Sequence, residues 1–113
     1  MCLIFCYIIF MENLADPMDA AAEEAADVLK ALSNPRRLRL LCALAPGPMT
    51  VGALEDTLGA SQSYVSGQLL KLRAEGLVAC RKEGRTVHYY LSDPRVRPVL
   101  ERLYEVFCPE TAR

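Results

Sequence analysis

In the stretch SQSYVSGQLLKLRAEGLV, Ser61 to Val78, small polar positions give way to leucines at helical spacing with no intervening proline. Stepping about 100° per residue from Val65 puts Leu69 and Leu72 within about 40° of it, an apolar stripe that belongs against a core. Ser63, Ser66, Gly67 and Leu70 point the other way, and Gln62 is intermediate in the first turn. Upstream, DAAAEEAADVLKALS predicts a first helix from about Asp19 to Leu32, its acids early and Ala22, Ala25, Ala26 and Leu29 on one stripe. NPRRLRLLCALA predicts a second, with Asn34 as N-cap, Pro35 at the first helical position and Leu38, Leu41, Cys42 and Ala45 facing inward. The PGP at 46 to 48 ends it. Thr50 caps a short helix, VGALEDTL, which Gly59 closes, and Ser61 caps the next.

After Gly76 the period changes to two. Leu77 to Lys82 and Thr86 to Leu91 form β-rich runs about a Glu83-Gly84-Arg85 turn, predicting a hairpin. Asp93 and Pro94 open a last helix with Val96, Val99, Leu100, Leu103 and Phe107 on one stripe, and Pro98 marks where its regular part begins. Two capped helices meeting across a short Gly-containing turn are a helix-turn-helix. The chain is therefore mainly α with a β-hairpin wing: a winged helix-turn-helix with extra helices at both ends.

The winged domain is expected over residues 19–108, with an extension at 1–18 and a tail at 109–113. The opening MCLIFCYIIF is apolar but only ten residues long, lacks a basic flank and is followed by acids. Such a segment is too short to span a bilayer, so no stable membrane association is expected. It reads first as sequence upstream of a true start at Met11, with an unfolded or partner-covered extension and a weak membrane-contacting tail as the alternatives.

At 113 residues, 52% hydrophobic and 24% charged, the composition is that of one globular domain. The net charge of −1 argues against a nucleic-acid partner until it is divided along the chain. Residues 1–29 hold six acids and no Lys or Arg; residues 30–85 hold nine basic residues against four acids; residues 86–113 hold four of each. The helix-turn-helix and wing thus form a basic unit of +5. Five cysteines with no CxxC pair fit a reducing compartment, and a cytoplasmic location is expected.

The small residues on the outer face of the Ser61-capped helix need a reason, since Gly67 costs about 1 kcal/mol of helix stability against Ala. A DNA major groove supplies one: small side chains admit close backbone approach, and Gln and Ser read base edges. Candidate DNA-binding residues are Gln62, Ser63, Tyr64, Ser66 and Gly67, with Lys71, Arg73, Arg81, Lys82 and Arg85 suited to phosphates. The bland alternatives are an ordinary solvated helix and a winged module that binds protein instead of DNA. The basic middle segment disfavours both. An enzyme is not expected, because there is no Gly-rich phosphate loop and the one histidine, His88, stands in no nucleophile or metal arrangement.

The run from about Ala26 to Leu91, with LKALSNPRRLRLL, SQSYVSGQLLKLRAEGLV and GRTVHYYL, resembles the ArsR/SmtB family of dimeric bacterial repressors. The resemblance implies a homodimer built from the first and last helices, with paired recognition helices in successive major grooves of a double-stranded operator, and a small inducer that releases it. Many such proteins sense metal through a cysteine pair in the first helix of the helix-turn-helix, but VGALEDTL has none, and no His occurs in the last helix. Neither a metal nor a cofactor is expected. LLCALA and LYEVFCPE resemble instead the matching segments of the persulfide-sensing SqrR and BigR type, which implies that Cys42 and Cys108 form a sensor pair for reactive sulfur species. Arg39, one turn before Cys42, is expected to favour its thiolate, so that Cys42 reacts first. Cys80 reads as a packing residue. Heme binding at the Cys108-Pro109 dipeptide, a general oxidant response through the same thiols, and a structural role for Cys42 as a small core residue are the alternatives.

Overall fold

The computed structural model describes residues 16–109. Expectations for residues 1–15 and 110–113, including that of a start at Met11, lie outside the described residues. The chain divides into two compact units, one ending at Leu32 and one beginning at Ser33.

The first unit contributes α1 (Pro17–Ala31). This helix begins two residues earlier than the acids suggested, because the Asp16 carboxylate accepts the Met18 amide at 3.0 Å and Pro17 needs no amide partner. Its buried positions are Val28 and Ala31, while Leu29, expected inside, is 57% exposed. An alanine-rich helix offers so little apolar area per face that its periodicity identifies the inner face poorly.

The second unit is the winged helix-turn-helix: α2 (Pro35–Leu44), α3 (Val51–Leu58), α4 (Gln62–Ala74), β1 (Val78–Glu83), β2 (Thr86–Leu91) and α5 (Val96–Phe107). Every expected cap is made. Asn34 Oδ1 accepts the amides of Arg36 and Arg37 at 2.9 and 3.2 Å. Thr50 Oγ1 accepts that of Ala53 at 3.1 Å, and Ser61 Oγ that of Tyr64 at 3.2 Å. Gly59 ends α3 at a φ of +62°, where an L side chain would be strained. Only Gly59, Ala60 and Ser61 separate α3 from α4.

α4 ends in a Schellman motif, with the Leu77 amide bonded to Leu72 O at 3.0 Å and the Gly76 amide to Arg73 O at 3.0 Å. That geometry turns the chain into β1. The strands pair antiparallel from Val78 opposite Leu91 to Glu83 opposite Thr86. A two-residue loop joins them, with Gly84 at a φ of +63°. At the base of the hairpin, the Ser92 hydroxyl donates to Gly76 O at 3.0 Å. A third extended segment beside β2 is not marked by any pattern in the sequence: Met49 exchanges both backbone hydrogen bonds with Tyr89, at 2.9 and 2.8 Å. This bridge ties the chain between α2 and α3 to the wing.

The core is built on Leu40, Leu41 and Leu44 of α2, Leu54 of α3, Val65, Leu69 and Leu72 of α4, Val78, and Val96 and Leu100 of α5. On α4 the buried stripe is the expected one, and Leu70 is left 70% exposed. On α2 it is rotated: Leu41 is inside as expected, but Leu40 and Leu44 join it, while Leu38, Cys42 and Ala45 are only half-buried. PRRLRLLCAL has apolar residues on more than one side, so periodicity alone did not choose the core face. α5 begins at Val96, with Asp93 Oδ1 accepting the Arg95 amide at 2.9 Å just before it. Pro98 falls in the first turn, where amides have no helical partner, and does not delay the helix.

Leu69 and Leu70 are adjacent yet have opposite surroundings. Leu69→Ala is expected to destabilise the fold by about 2–5 kcal/mol, and Leu70→Ala to stay within about 0.5 kcal/mol of the parent. Urea denaturation at matched protein concentration checks the pair, and equal losses would mean that the stripe is wrongly placed.

Candidate nucleic-acid interface and cysteine cleft

The reading face of α4 is held outward because Val65, Leu69 and Leu72 hold the opposite face inward. Gln62, Ser63 and Gly67 are exposed and Ser66 is half-buried. The Gln62 amide lies 3.2 Å from the Ser66 hydroxyl, one turn on, so two side chains with base-reading chemistry are already aligned. A Cβ built at Gly67 meets nothing within 4 Å, so the protein itself does not require glycine there. Tyr64 is half-buried, with the Arg36 guanidinium over its ring.

Lys71 and Arg73 are both exposed and lie about 160° apart around the helix, on opposite flanks of the reading face. In the wing, Lys82 and Arg85 are exposed. Arg81 is engaged: its Nε donates to Glu83 Oε2 at 2.7 Å, and its guanidinium lies 5.9 Å from the Tyr90 ring centre. The Arg81 hydrogen bond and charge hold the Glu83 carboxyl below the usual carboxylate range. His88 faces the same carboxylate, its Nδ1 3.6 Å from Glu83 Oε1.

Behind this face, the fold brings together two thiols that stand 66 positions apart in the sequence. Cys42, on the half-buried side of α2, and Cys108, just past the end of α5, line one cleft of about 420 Å³ with Leu38, Leu58, Leu103 and Phe107. Neither forms a disulfide among the described residues. Arg97 Nε donates to Ala45 O at 2.9 Å and ties α5 to the end of α2. At the other end of α2, Arg37 reaches Glu75 at 2.7 Å and ties it to the end of α4. Cys80 is half-buried opposite Tyr89 in the wing.

Arg39 also lines the cysteine cleft, but the expected effect on Cys42 is reversed. Burial first, and then the Cys108 sulfur, push the Cys42 thiol above the ordinary thiol range. Desolvation penalises the thiolate more than one exposed guanidinium favours it. The ground for expecting Cys42 to react first is therefore removed. Arg39 and Leu58 have a second role that the sequence did not reveal: both also line the cleft at the helix-turn-helix turn, with Gly59, Ala60 and Ser61. The two clefts share a wall.

Because thiolate is the reacting form, alkylation of Cys42 should accelerate with pH through a midpoint above that of an ordinary thiol. In Cys108→Ser the midpoint should fall only part of the way back, since burial, the larger cause, remains. Mass-resolved iodoacetamide labelling of the folded protein across the alkaline range reads this, and a midpoint below the ordinary one would contradict it.

Known proteins share this fold. Residues 34–79 match the model of the arsR family of bacterial regulatory proteins. The transcriptional activator HlyU of Vibrio cholerae is 42% identical over 91 residues, 80% of this chain and 84% of HlyU. The crystal structure of the transcriptional repressor BigR from Xylella fastidiosa superposes with a TM-score of 0.74 at 38% identity, covering 80% of this chain and 93% of BigR. The solution structure of a homodimeric winged helix-turn-helix DNA-binding domain from Mycobacterium bovis gives a TM-score of 0.64 at 33% identity, covering 84% of this chain and 88% of that domain. Sharing a third or more of the aligned residues with regulators that it matches along most of their length, the chain belongs to the arsR family of bacterial regulatory proteins.

Proposed function

We propose that this regulator is a homodimeric transcriptional repressor that binds operator DNA through α4 and the wing, and is released when reactive sulfur species bridge Cys42 to Cys108. The observation that carries the reading is the cysteine cleft: two thiols from distant segments share one largely apolar cavity whose wall is also a wall of the helix-turn-helix turn. Repression is taken from the likeness to BigR. Dimerisation is supported by the homodimeric relative and by α5, where Tyr104, Val106 and Phe107 are exposed, Phe107 to 75%.

The chemistry balances without an added oxidant. A thiolate at Cys108 takes the outer sulfur of a low-molecular-weight persulfide, giving the Cys108 persulfide and a free thiolate from the donor. The Cys42 sulfur, deprotonated as it attacks, then bonds to the inner sulfur of that persulfide and expels hydrosulfide, leaving a disulfide. If Cys42 has itself been persulfidated, the same displacement leaves a trisulfide. Each added sulfur lengthens the bridge by about 2 Å, so sulfur donors close gaps that a plain disulfide would not. Attack first at Cys42 balances in the same way with the two roles exchanged.

A bridge would fix the end of α5 to the last turn of α2 and displace the side chains lining the cleft. Leu58, at the end of α3, is one of them, so the strain would be delivered at the turn that sets the angle of α4. In a dimer, a small rotation of each α4 alters the separation of the two heads, which must match the groove spacing of about 34 Å.

Treating the reduced protein with a sulfane-sulfur donor should shift its mass by the loss of two hydrogens for a Cys42–Cys108 disulfide, or by that loss plus one sulfur for a trisulfide, and release promoter DNA. Cys42→Ser should bind DNA and stay bound under treatment; release from that variant would end the sensor reading.

The groove-reading role has a separate test at Gly67. Gly67→Ala should raise folding stability by up to about 1 kcal/mol, while Gly67→Leu should bind the operator at least tenfold more weakly with its fold intact. Undiminished affinity in Gly67→Leu, measured by fluorescence anisotropy, would remove α4 from the groove.

A further inference from the structure

The cations that the sequence pattern assigns to DNA all lie on α4 and the wing, but α2 carries two more beside the reading head. Arg36 is at the second position of α2, and its guanidinium carbon lies 5.2 Å from the centre of the Tyr64 ring, in the first turn of α4. Arg39, one turn further, joins Arg36, Ser61 and Tyr64 around a cleft of about 360 Å³ whose remaining lining is Leu58, Gly59 and Ala60, the turn itself. Among the described residues, no carboxylate lines it. Their neighbour Arg37 is committed elsewhere, to Glu75.

The position of this cleft is set by α4. Tyr64 is three residues before Gly67, so it projects about 60° around the helix from Gly67, on the flank of the reading face. With α4 in a major groove, its flank at the first turn faces one of the two phosphate strands that bound the groove. The amides at the start of α4 add the positive end of a helix dipole to the two guanidinium groups. A planar guanidinium is also the side chain best shaped for a phosphodiester. Stacking on Tyr64 restricts Arg36, whose long side chain would otherwise lose considerable rotamer freedom on binding.

We propose that Arg36 and Arg39 form a shelf for the DNA backbone, a phosphate-contacting surface on α2 separate from the recognition helix and the wing, and that Tyr64 is a positioning residue that holds Arg36 in place. The proposal rests on the DNA-binding reading above and deepens it. It reassigns Tyr64, which the sequence suggested as a direct DNA contact, to acting through Arg36. The shelf contributes to affinity on any duplex and carries no base preference.

The test is the salt dependence of binding by the full reduced protein, followed by anisotropy on a duplex from its own upstream region and on a scrambled duplex. Each phosphate that the protein no longer neutralises lowers the slope of log K against log salt by about 0.9. Arg36→Ala and Arg39→Ala should therefore each lower it by about 1.8 in a dimer, equally on both duplexes. Arg36→Lys should retain most of the slope. Tyr64→Leu should reproduce the Arg36→Ala loss and add nothing further in the double variant, whereas Tyr64→Phe should behave as the parent. Thermal melts establish that each variant is folded. A parent-like slope in both alanine variants, or a loss confined to one duplex, overturns the shelf. Additive losses for Tyr64→Leu and Arg36→Ala overturn the positioning role. Absence of salt-sensitive binding by the parent protein overturns the DNA-binding reading as well.

Discussion

The burial of Val65, Leu69 and Leu72 is the constraint on which the rest depends. These three side chains fix the rotation of α4 about its own axis, and a helix fixed in rotation has only one face left for solvent. Gln62, Ser63 and Gly67 are presented outward because the core accepts the other side. The Ser61 cap and Gly59 turn add position to rotation, so the start of α4 is the best-defined point of the reading surface. A groove-binding helix needs this, because its contacts tolerate little angular error.

α2 is the element that links the recognition helix to the last helix. One end is pinned to α4 by Arg37 and Glu75, the other to α5 by the Arg97 hydrogen bond, and the thiol of Cys42 lies between them. The half-buried side of α2, with Leu38, Cys42 and Ala45, is a side the core leaves incompletely filled. An incompletely filled, apolar, thiol-bearing surface is a poor stabiliser and a good receptor. The raised pKa of Cys42 has the same origin, since partial burial disfavours the thiolate.

Membership of the arsR family accounts for the architecture, and the relatives show that one scaffold serves proteins named activator and repressor alike. A shared fold does not transmit a shared signal. In this chain the clefts on the scaffold are lined by cysteine, leucine and arginine side chains among others.

Much of this was legible in the sequence because it is local. Caps act over two or three residues and turns over four, so Asn34, Thr50, Gly59, Ser61 and Gly84 announced the boundaries between elements. The α4 stripe was legible for the same reason, its apolar residues being confined to one side. Where a helix is apolar on several sides, as α2 is, or weakly apolar throughout, as α1 is, periodicity chose the wrong face or an incomplete one. The Met49 bridge to Tyr89, the stacking of Arg36 on Tyr64, the shared cleft of Cys42 and Cys108 and the desolvation of Cys42 were decided only by tertiary structure. Each depends on groups far apart in the chain whose meeting is fixed by how the core closes, and hydrophobic burial, being non-directional, leaves no mark of that choice in any short stretch of sequence.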